Sequence, residues 1–224
     1  MTTTTIAGIY VGALSVLGPE GQLTGIFKQP IAAARVTTEG ITGDHQADRR
    51  VHGGPEKALH HYAADNYAML AARYPAIAAL LVPGNLGENL STRGWTEDNV
   101  HVGDEFRIGT ARVQVSQPRS PCWKINHRFG VDGLSRQIAD TGVVGWYYRV
   151  QVPGTIAVGD AFELIGREPD PVSIRAFWTI VTSDRPSAGD LARLQGIVPL
   201  NPQWKARLAQ RQAWLEDLPE DAAP

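Results

Sequence analysis

One cysteine lies in a segment whose neighbours favour chemistry at sulfur. Residues 117–124 have the sequence QPRSPCWK, so two prolines precede Cys122, and two cations, Arg119 and Lys124, lie close to it. Nearby positive charge favours the thiolate over the thiol, and the thiolate is the form that attacks an electrophile or binds a metal ion. The alternative is that Cys122 is a small buried hydrophobic residue, as many free cysteines are. Residue chemistry alone leaves both interpretations open.

A second cluster combines consecutive glycines with basic side chains. Residues 51–57 have the sequence VHGGPEK. Glycines let backbone amides approach an anion closely, and His52 and Lys57 add donors that a phosphate group could use. A plain glycine turn explains the same residues. The cluster is therefore a candidate phosphate site with a simpler structural alternative.

Other chemistries find less support. A metal site built on histidine would draw on Asp44, His45, Asp48, His52, His60 and His61. Their spacing matches no His-Glu-x-x-His signature, and the chain has no nucleophile elbow, Walker A loop or dinucleotide-binding fingerprint. The segment GENL at residues 87–90 could present Asn89 at the start of a strand, or form a turn in which the side chain bonds its own backbone.

Short strands are the main elements available to position these residues. Turn-bounded segments rich in β-branched and aromatic residues predict strands at 6–11, 31–36, 106–108, 111–115, 146–150 and 161–164. Alternating apolar and polar residues on both sides of Gly109 predict a hairpin with one buried face. Apolar periodicity predicts helices at residues 64–74, ended by Pro75, and more weakly at 134–139. We expect a barrel or sandwich flanked by helices.

A stiff polar linker precedes a helical tail. Residues 167–171, REPDP, contain two prolines that restrict the backbone. Beyond them, Ser173, Ser187 and Asn201 predict the first turns of three helices. This appendage is too small for a deep core unless it docks on the main body. The predicted aromatic anchors of its core are Trp178, Trp204 and Trp214.

Composition excludes several classes of protein. The 224 residues suit one domain with a small appendage, and 21 Lys and Arg against 23 Asp and Glu leave no basic surplus for binding a nucleic acid polymer. A single cysteine excludes an intrachain disulfide, a four-cysteine cluster and a Cys-x-x-Cys pair, and it favours a reducing, cytoplasmic compartment. The apolar run at residues 6–17 is too short to span a bilayer and lacks a basic leader, so we expect no membrane association.

Four motifs follow one another along the chain: HGGP at 52–55, GENL at 87–90, GD at 103–104 and QPRSPCWK at 117–124. In this order they resemble the MOSC-domain family, and specifically its YiiM-like branch. The resemblance implies an α+β fold, in which a β-barrel-like MOSC domain with flanking helices occupies residues 1–167. A small three-helix domain at residues 172–216 would follow it.

The resemblance also implies that the barrel binds molybdenum cofactor, a molybdopterin with its metal, and that Cys122 ligates the molybdenum. A soft thiolate suits a site otherwise filled by the sulfurs of a dithiolene. The residues that would hold the pterin and its phosphate are His52, Gly53, Asn89, Arg119, Ser120 and Lys124. Beside the catalytic Cys122, either His60, His52 or Glu88 could deliver protons.

The implied reaction is two-electron cleavage of an N–O bond in small N-hydroxylated compounds, such as 6-hydroxylaminopurine or amidoximes, which would detoxify N-hydroxylated bases. One cysteine cannot hold both the metal and an iron–sulfur cluster, and no haem or flavin motif occurs, so an external reductase must supply the electrons. Two alternatives stay open. Cys122 could serve a module that carries or delivers the cofactor or sulfur, or it could be the nucleophile of a cysteine hydrolase with His52 or His60 as base.

Overall fold

The computed structural model describes residues 3–217, and their fold is mixed α and β. The strands are β1 (Thr3–Val11), β2 (Ser15–Leu17), β3 (Gln22–Thr24), β4 (Gln29–Ile31), β5 (Ala33–Thr37), β6 (Gly40–Ile41), β7 (Leu59–His61), β8 (Leu90–Thr92), β9 (Glu105–Ile108), β10 (Ala111–Pro118), β11 (Trp146–Val152), β12 (Gly154–Ala157) and β13 (Ala161–Gly166). The α-helices are α1 (Arg49–His52), α2 (Ala64–Arg73), α3 (Lys124–Phe129), α4 (Leu134–Thr141), α5 (Ile174–Thr182), α6 (Ala188–Gly196) and α7 (Pro202–Glu216). Two 3-10 helices span Pro55–Lys57 and Pro75–Leu80. None of the helices in this range is long and apolar enough to cross a membrane.

Seven strands of the described residues close into a barrel. They follow the order β13-β9-β10-β11-β7-β8-β1, and β1 pairs again with β13, while β4 extends the sheet from β1. The β7–β8 pair is parallel and the other six are antiparallel. Aromatic side chains fill the interior: the ring centroids of Phe106 and Phe162 lie 4.5 Å apart. The structure confirms the predicted α+β class and the barrel.

The predicted hairpin around Gly109 is confirmed as β9 and β10. Ala111 pairs with Ile108 and Val113 with Phe106, and all four side chains are buried in the barrel. Gly109 has a φ of 52°, and a Cβ there would lie 2.4 Å from the Thr155 carbonyl oxygen. The turn therefore needs glycine for its conformation and for its close approach to the neighbouring chain.

The single strand predicted at residues 31–36 is wrong. Ile31 ends β4 and pairs with Ile9 of β1, whereas Ala33 begins β5 and pairs with Ala157 of β12 in a separate three-stranded sheet. The chain bends between them at Ala32, whose carbonyl accepts a hydrogen bond from Val158 N at 2.9 Å. Residues 31–36, IAAARV, contain no glycine, proline or other turn residue, so the sequence gives no signal of this change of sheet.

Three helices pack on one another beside the barrel. The predicted helices at 64–74 and 134–139 are confirmed as α2 and α4, and they share a hydrophobic cluster with α3. Helix α3 was not predicted, because it has only six residues and no side chain caps its first turn. Its buried residues, Ile125 and Phe129, face this cluster.

The three helix starts predicted in the tail are confirmed. Ser173 Oγ accepts from Ala176 N at 3.0 Å and Ser187 Oγ accepts from Asp190 N at 3.0 Å. Asn201 Oδ1 accepts from Gln203 N at 2.7 Å. Each bond satisfies an amide that a helix leaves free in its first turn.

The tail docks on the barrel, as its small size required. Phe177 of α5 belongs to the same hydrophobic core as the barrel residues, and Trp178 Nε1 donates to the Ala139 carbonyl at 2.7 Å. Trp204 packs against Phe177 with a centroid distance of 5.2 Å. The prediction for Trp214 is wrong, since that side chain is 56% exposed. It lies about 100° around α7 from Leu215, which packs on the core.

Candidate functional site

A cleft opens at the end of the barrel where β10 finishes. It encloses about 600 Å³, counting the space open to solvent at its mouth. Six of the predicted site residues line it together: His52, His60, Asn89, Arg119, Cys122 and Lys124. They come from four separate parts of the chain, which the barrel and the adjoining loops bring to one place.

Arg119 lies at the base of the cleft, just after β10. Its backbone N donates to the Gly145 carbonyl at 3.0 Å, and its Nη2 donates to the Leu86 carbonyl at 3.3 Å. Its Nη1 is buried and makes no hydrogen bond of normal length and angle among the described residues, while the guanidinium also interacts with the Tyr147 hydroxyl. A buried guanidinium donor without a partner costs free energy, so this atom indicates a ligand that accepts a hydrogen bond in the cleft.

Cys122 is half-buried at the cleft wall, between Pro121 and the first turn of α3. Its carbonyl accepts from Ile125 N at 3.0 Å, which anchors the cysteine on the helix. Lys124 Nζ donates to the Leu23 carbonyl at 2.6 Å, and this bond holds the lysine across the mouth of the cleft.

Two of the three histidines that line the cleft, His52 and His60, are neutral at pH 7. Burial, followed by the charges of Arg119, Lys124 and Lys57, lowers the pKa of His52 to about 4. Burial, followed by the charge of Arg119, holds the pKa of His60 well below its usual value, against an opposing hydrogen bond to the Gly87 backbone. The Nε2 atom of His60 is buried and unpartnered within residues 3–217. A buried ring nitrogen without a partner is available for a hydrogen bond to a ligand.

Three predicted residues do not line the cleft. Glu88 is fully buried, and its carboxylate accepts from Tyr67 Oη and Gly84 N, each at 2.5 Å, so it does not face a substrate. Gly53 donates its N–H to the Arg49 carbonyl at 3.2 Å as it ends α1, so that amide is not free to bind an anion. Ser120 is exposed outside the cleft. None of these three residues therefore lies where it can contact a ligand in the cleft.

Asn89 lines the cleft but uses its side chain inside the protein. Its Oδ1 accepts from His60 N at 3.0 Å, and its Nδ2 donates to the Tyr10 carbonyl at 3.2 Å and to Asp44 Oδ2 at 2.9 Å. Both amide hydrogens are therefore occupied, and the expected role as a donor to a ligand is corrected. Asn89 instead positions the strand that carries His60.

Lys28 and Tyr147 line the cleft and were not predicted. Lys28 Nζ pairs with Asp44, and burial, which outweighs the attraction of that carboxylate, lowers the pKa of the amine. Trp146 and Tyr148 point into the barrel, so strand alternation places Tyr147 on the opposite face. Alternation could have identified Tyr147, whereas Lys28 had no local signal.

Positive charge accumulates at the mouth of the cleft. Within residues 3–217, neither Lys57, Lys124 nor Arg119 forms an ion pair with a carboxylate. Lys57 Nζ donates to the Val51 carbonyl at 2.7 Å, and it retains hydrogens for a further acceptor. No group of three or more His, Cys, Asp or Glu in this range could hold a metal ion. The protein is thus a β-barrel whose open end presents one cysteine among unpaired cations.

Comparisons with known proteins assign this barrel to a family. The MOSC domain model matches residues 48–163. Protein YiiM of Escherichia coli (strain K12) is 44% identical over 163 residues, covering 72% of this chain and 72% of that protein. The crystal structure of Escherichia coli YiiM superimposes with a TM-score of 0.81 and 30% identity, covering 99% and 98% of the two chains. The chain belongs to the MOSC domain family and to its YiiM-like branch.

Another relative carries a functional name. A protein of Gibberella moniliformis (strain M3125 / FGSC 7600) named "Reductase" is 38% identical over 129 residues, which are 57% of this chain and 23% of that longer protein. MOSC domains as a family are associated with binding molybdenum cofactor.

Proposed function

We propose that this protein is a reductase that uses molybdenum cofactor to cleave N–O bonds in small N-hydroxylated compounds, with electrons from a separate protein. The observation that carries the proposal is the cleft itself. Cys122 lines it together with Arg119 and His60, whose Nη1 and Nε2 are buried without hydrogen-bond partners among the described residues. One sulfur ligand beside cationic donors suits a cofactor that brings further metal ligands of its own.

Molybdenum cofactor fits these residues. Its dithiolene supplies two sulfurs, so one protein thiolate suffices. Its terminal phosphate needs cationic donors, which Lys57, Lys124 and Arg119 provide without carboxylate partners.

The residues of the chain would divide the work. The Cys122 thiolate would hold the metal, and Arg119 Nη1 would donate to an acceptor on the pterin or its phosphate. His60, whose backbone N–H is bonded to Asn89 and whose ring interacts with the Gly87 backbone, would offer its unpartnered Nε2 as a hydrogen-bond partner to the bound cofactor or substrate. When bound, the cofactor supplies the two-electron redox chemistry, which no side chain can provide.

The overall reaction would convert a hydroxylamine or amidoxime N–OH to N–H. The N–O bond breaks, two electrons and two protons are consumed, and one water is released. Support for reductase activity comes from the Gibberella moniliformis relative named "Reductase", although its matched region is less than a quarter of that protein. Support for cofactor binding comes from the MOSC family and from the fit of the cleft.

The first test is metal and pterin analysis of protein expressed in a host that makes the cofactor. We expect stoichiometric molybdenum and pterin in the wild type, loss of molybdenum in Cys122→Ser, and retention of both in Ser120→Ala, whose exposed side chain lies outside the cleft. Arg119→Ala should retain cofactor about 10- to 100-fold less tightly. Full molybdenum in Cys122→Ser would refute the ligand assignment.

The second test is turnover of 6-hydroxylaminopurine and benzamidoxime by loaded protein with a chemical reductant. We expect loss of the N-hydroxyl oxygen from at least one of them. If both stay unchanged, the reductase proposal fails. A reducible sulfur adduct on Cys122 in intact mass spectra would favour the delivery role instead.

A further inference from the structure

An exposed apolar surface borders the cleft next to Cys122, and we propose that it docks an acidic redox protein that delivers electrons to the site. The surface consists of Val16, Leu23 and Trp123, hereafter the rim patch. This inference rests on the proposed function, because it concerns the source of the electrons for that reaction.

The rim patch lies directly beside the cleft. Val16 and Leu23 face each other across the β2–β3 hairpin, and their side chains are 62% and 54% exposed. Trp123, 45% exposed, precedes Lys124, whose Nζ bonds the Leu23 carbonyl. The residues next to the patch in sequence, Thr24 and Cys122, line the cleft itself.

Exposed apolar side chains that cluster at the edge of a site indicate an interaction surface more than a solvated one. Single exposed apolar residues are common, but here three of them join two separate chain segments around the mouth of one cleft. The indole of Trp123 also packs edge-on against His127, at 5.0 Å between ring centroids, which holds the tryptophan in place. Tryptophan is among the residues that contribute most to protein interfaces.

The surrounding charge selects an acidic partner. Lys57 and Lys124 at the mouth of the cleft and Arg207 on α7 form no ion pair with a carboxylate among residues 3–217. The charge of Arg207 reaches Lys57, where it reinforces the effect of burial and lowers the pKa of that amine. The carboxylates of Asp44, Asp48 and Glu56 near the cleft are each paired with another cation, which leaves these three positive charges against Glu20 in the hairpin turn. A partner with a negative surface would therefore be attracted and oriented.

The reaction requires such a partner. Each N–O cleavage consumes two electrons and two protons, and one cysteine provides no second redox centre. A partner that carries reduced flavin or an iron–sulfur cluster would supply the electrons, and solvent would supply the protons. Docking at the rim patch would place that donor next to the proposed metal ligand, and a transient contact of this kind needs only a small interface.

The test compares two electron donors in the loaded protein. Val16→Glu and Leu23→Glu, singly, should raise the KM for a reduced, acidic plant-type ferredoxin about tenfold, because like charges then face each other. Turnover with dithionite-reduced methyl viologen should stay within about twofold of wild type, since a small donor needs no docking surface. Val152→Glu is the matched control: it is 42% exposed and pairs with Arg112, at the opposite end of β10 from Pro118.

Direct binding separates this inference from the proposed function. Ferredoxin binding to the wild type, measured by biolayer interferometry, should weaken with rising salt and weaken further in both rim-patch variants. Unchanged binding and KM in those variants would overturn the docking proposal. If the variants lose turnover equally with both donors, the rim patch is part of the catalytic cleft. If the wild type is a dimer and Val16→Glu makes it monomeric, the rim patch is a self-association surface. Either result rejects electron-donor docking. If no protein, wild type or variant, turns over with either donor while ferredoxin still binds, only the proposed reductase activity is rejected.

Discussion

At the scale of single residues, His61 shows how the barrel interior treats a polar group. Its Nδ1 lies 3.1 Å from Tyr148 Oη and its Nε2 lies 3.1 Å from Thr92 Oγ1, and its ring stacks on Trp146 at 4.5 Å. Both ring nitrogens therefore have partners inside a core that excludes water. Burial lowers the pKa of His61 to about 3, so the imidazole stays neutral in the folded state.

This pKa predicts a loss of stability in acid. Below pH 6.5 the unfolded chain binds a proton at His61 that the folded protein does not bind until about pH 3. Stability from this residue is complete above pH 6.5 and falls by about 2 kcal/mol between pH 7 and pH 5. Urea unfolding at pH 7, 6 and 5 should give a flatter pH dependence in His61→Gln than in the wild type. Parallel curves would contradict the prediction, and exposed His127→Gln serves as the control.

At the scale of elements, the helix caps of the tail do different amounts of structural work. Ser187 caps α6 on the surface, where its hydroxyl also donates to Asp190 Oδ2 at 2.7 Å. Asn201 caps α7 while its Nδ2 donates to Gln117 Oε1 and its backbone N donates to the Ser116 carbonyl at 3.0 Å. Capping therefore begins α6 at the solvent-exposed surface, whereas at α7 the capping residue also attaches the helix to the barrel.

These two caps predict unequal costs. Ser187→Ala should lower the free energy of unfolding by about 1 kcal/mol, the usual cost of a lost cap. Asn201→Ala should cost about 2–4 kcal/mol, because it also leaves Gln117 without its buried partner. Urea denaturation followed by circular dichroism measures both values. Equal costs would show that the bond to Gln117 contributes nothing.

At the scale of the whole molecule, contacts cross the linker that separates the two predicted domains. Arg167 donates to both oxygens of the buried Asp104 at 2.7 Å, and Arg193 of α6 pairs with Asp170. One hydrophobic core contains Phe106 of the barrel together with Phe177 of α5. The division into residues 1–167 and 172–216 stays a prediction, but the core that the two parts share is continuous.

A shared core predicts that the barrel and the tail unfold together. Phe177→Ala should remove about 3–5 kcal/mol from the unfolding of both parts, because the cavity lies between them. Native-state hydrogen exchange of amides in β10 and in α5 should report the same loss. Two separate transitions, with β10 unaffected by the substitution, would show that the tail is an independent unit.

Local chemistry made much of the site predictable. Arg119, Cys122 and Lys124 could be identified because cations and prolines surround one cysteine over a few residues, and His52 because it adjoins a glycine pair. The prediction for Glu88 is wrong because its role depends on a non-local contact. A carboxylate in a glycine-rich loop has the sequence of a catalytic acid, but the Glu88 carboxylate bonds Gly84 within its own loop and Tyr67 of α2, and the second bond forms only when the loop meets that helix.

The sequence by itself determined the elements whose causes are local: the β9–β10 hairpin, the capped helices of the tail and the single sulfur that sits among cations. Only the tertiary structure decided which polar atoms have partners. The fold uses the Asn89 side chain to hold the His60 backbone, and it leaves Arg119 Nη1 and His60 Nε2 buried without hydrogen-bond partners among the described residues. The physical reason is that hydrogen-bond satisfaction in a closed barrel depends on groups far apart in sequence, and the cleft's ligand is indicated by the groups the fold leaves unpaired.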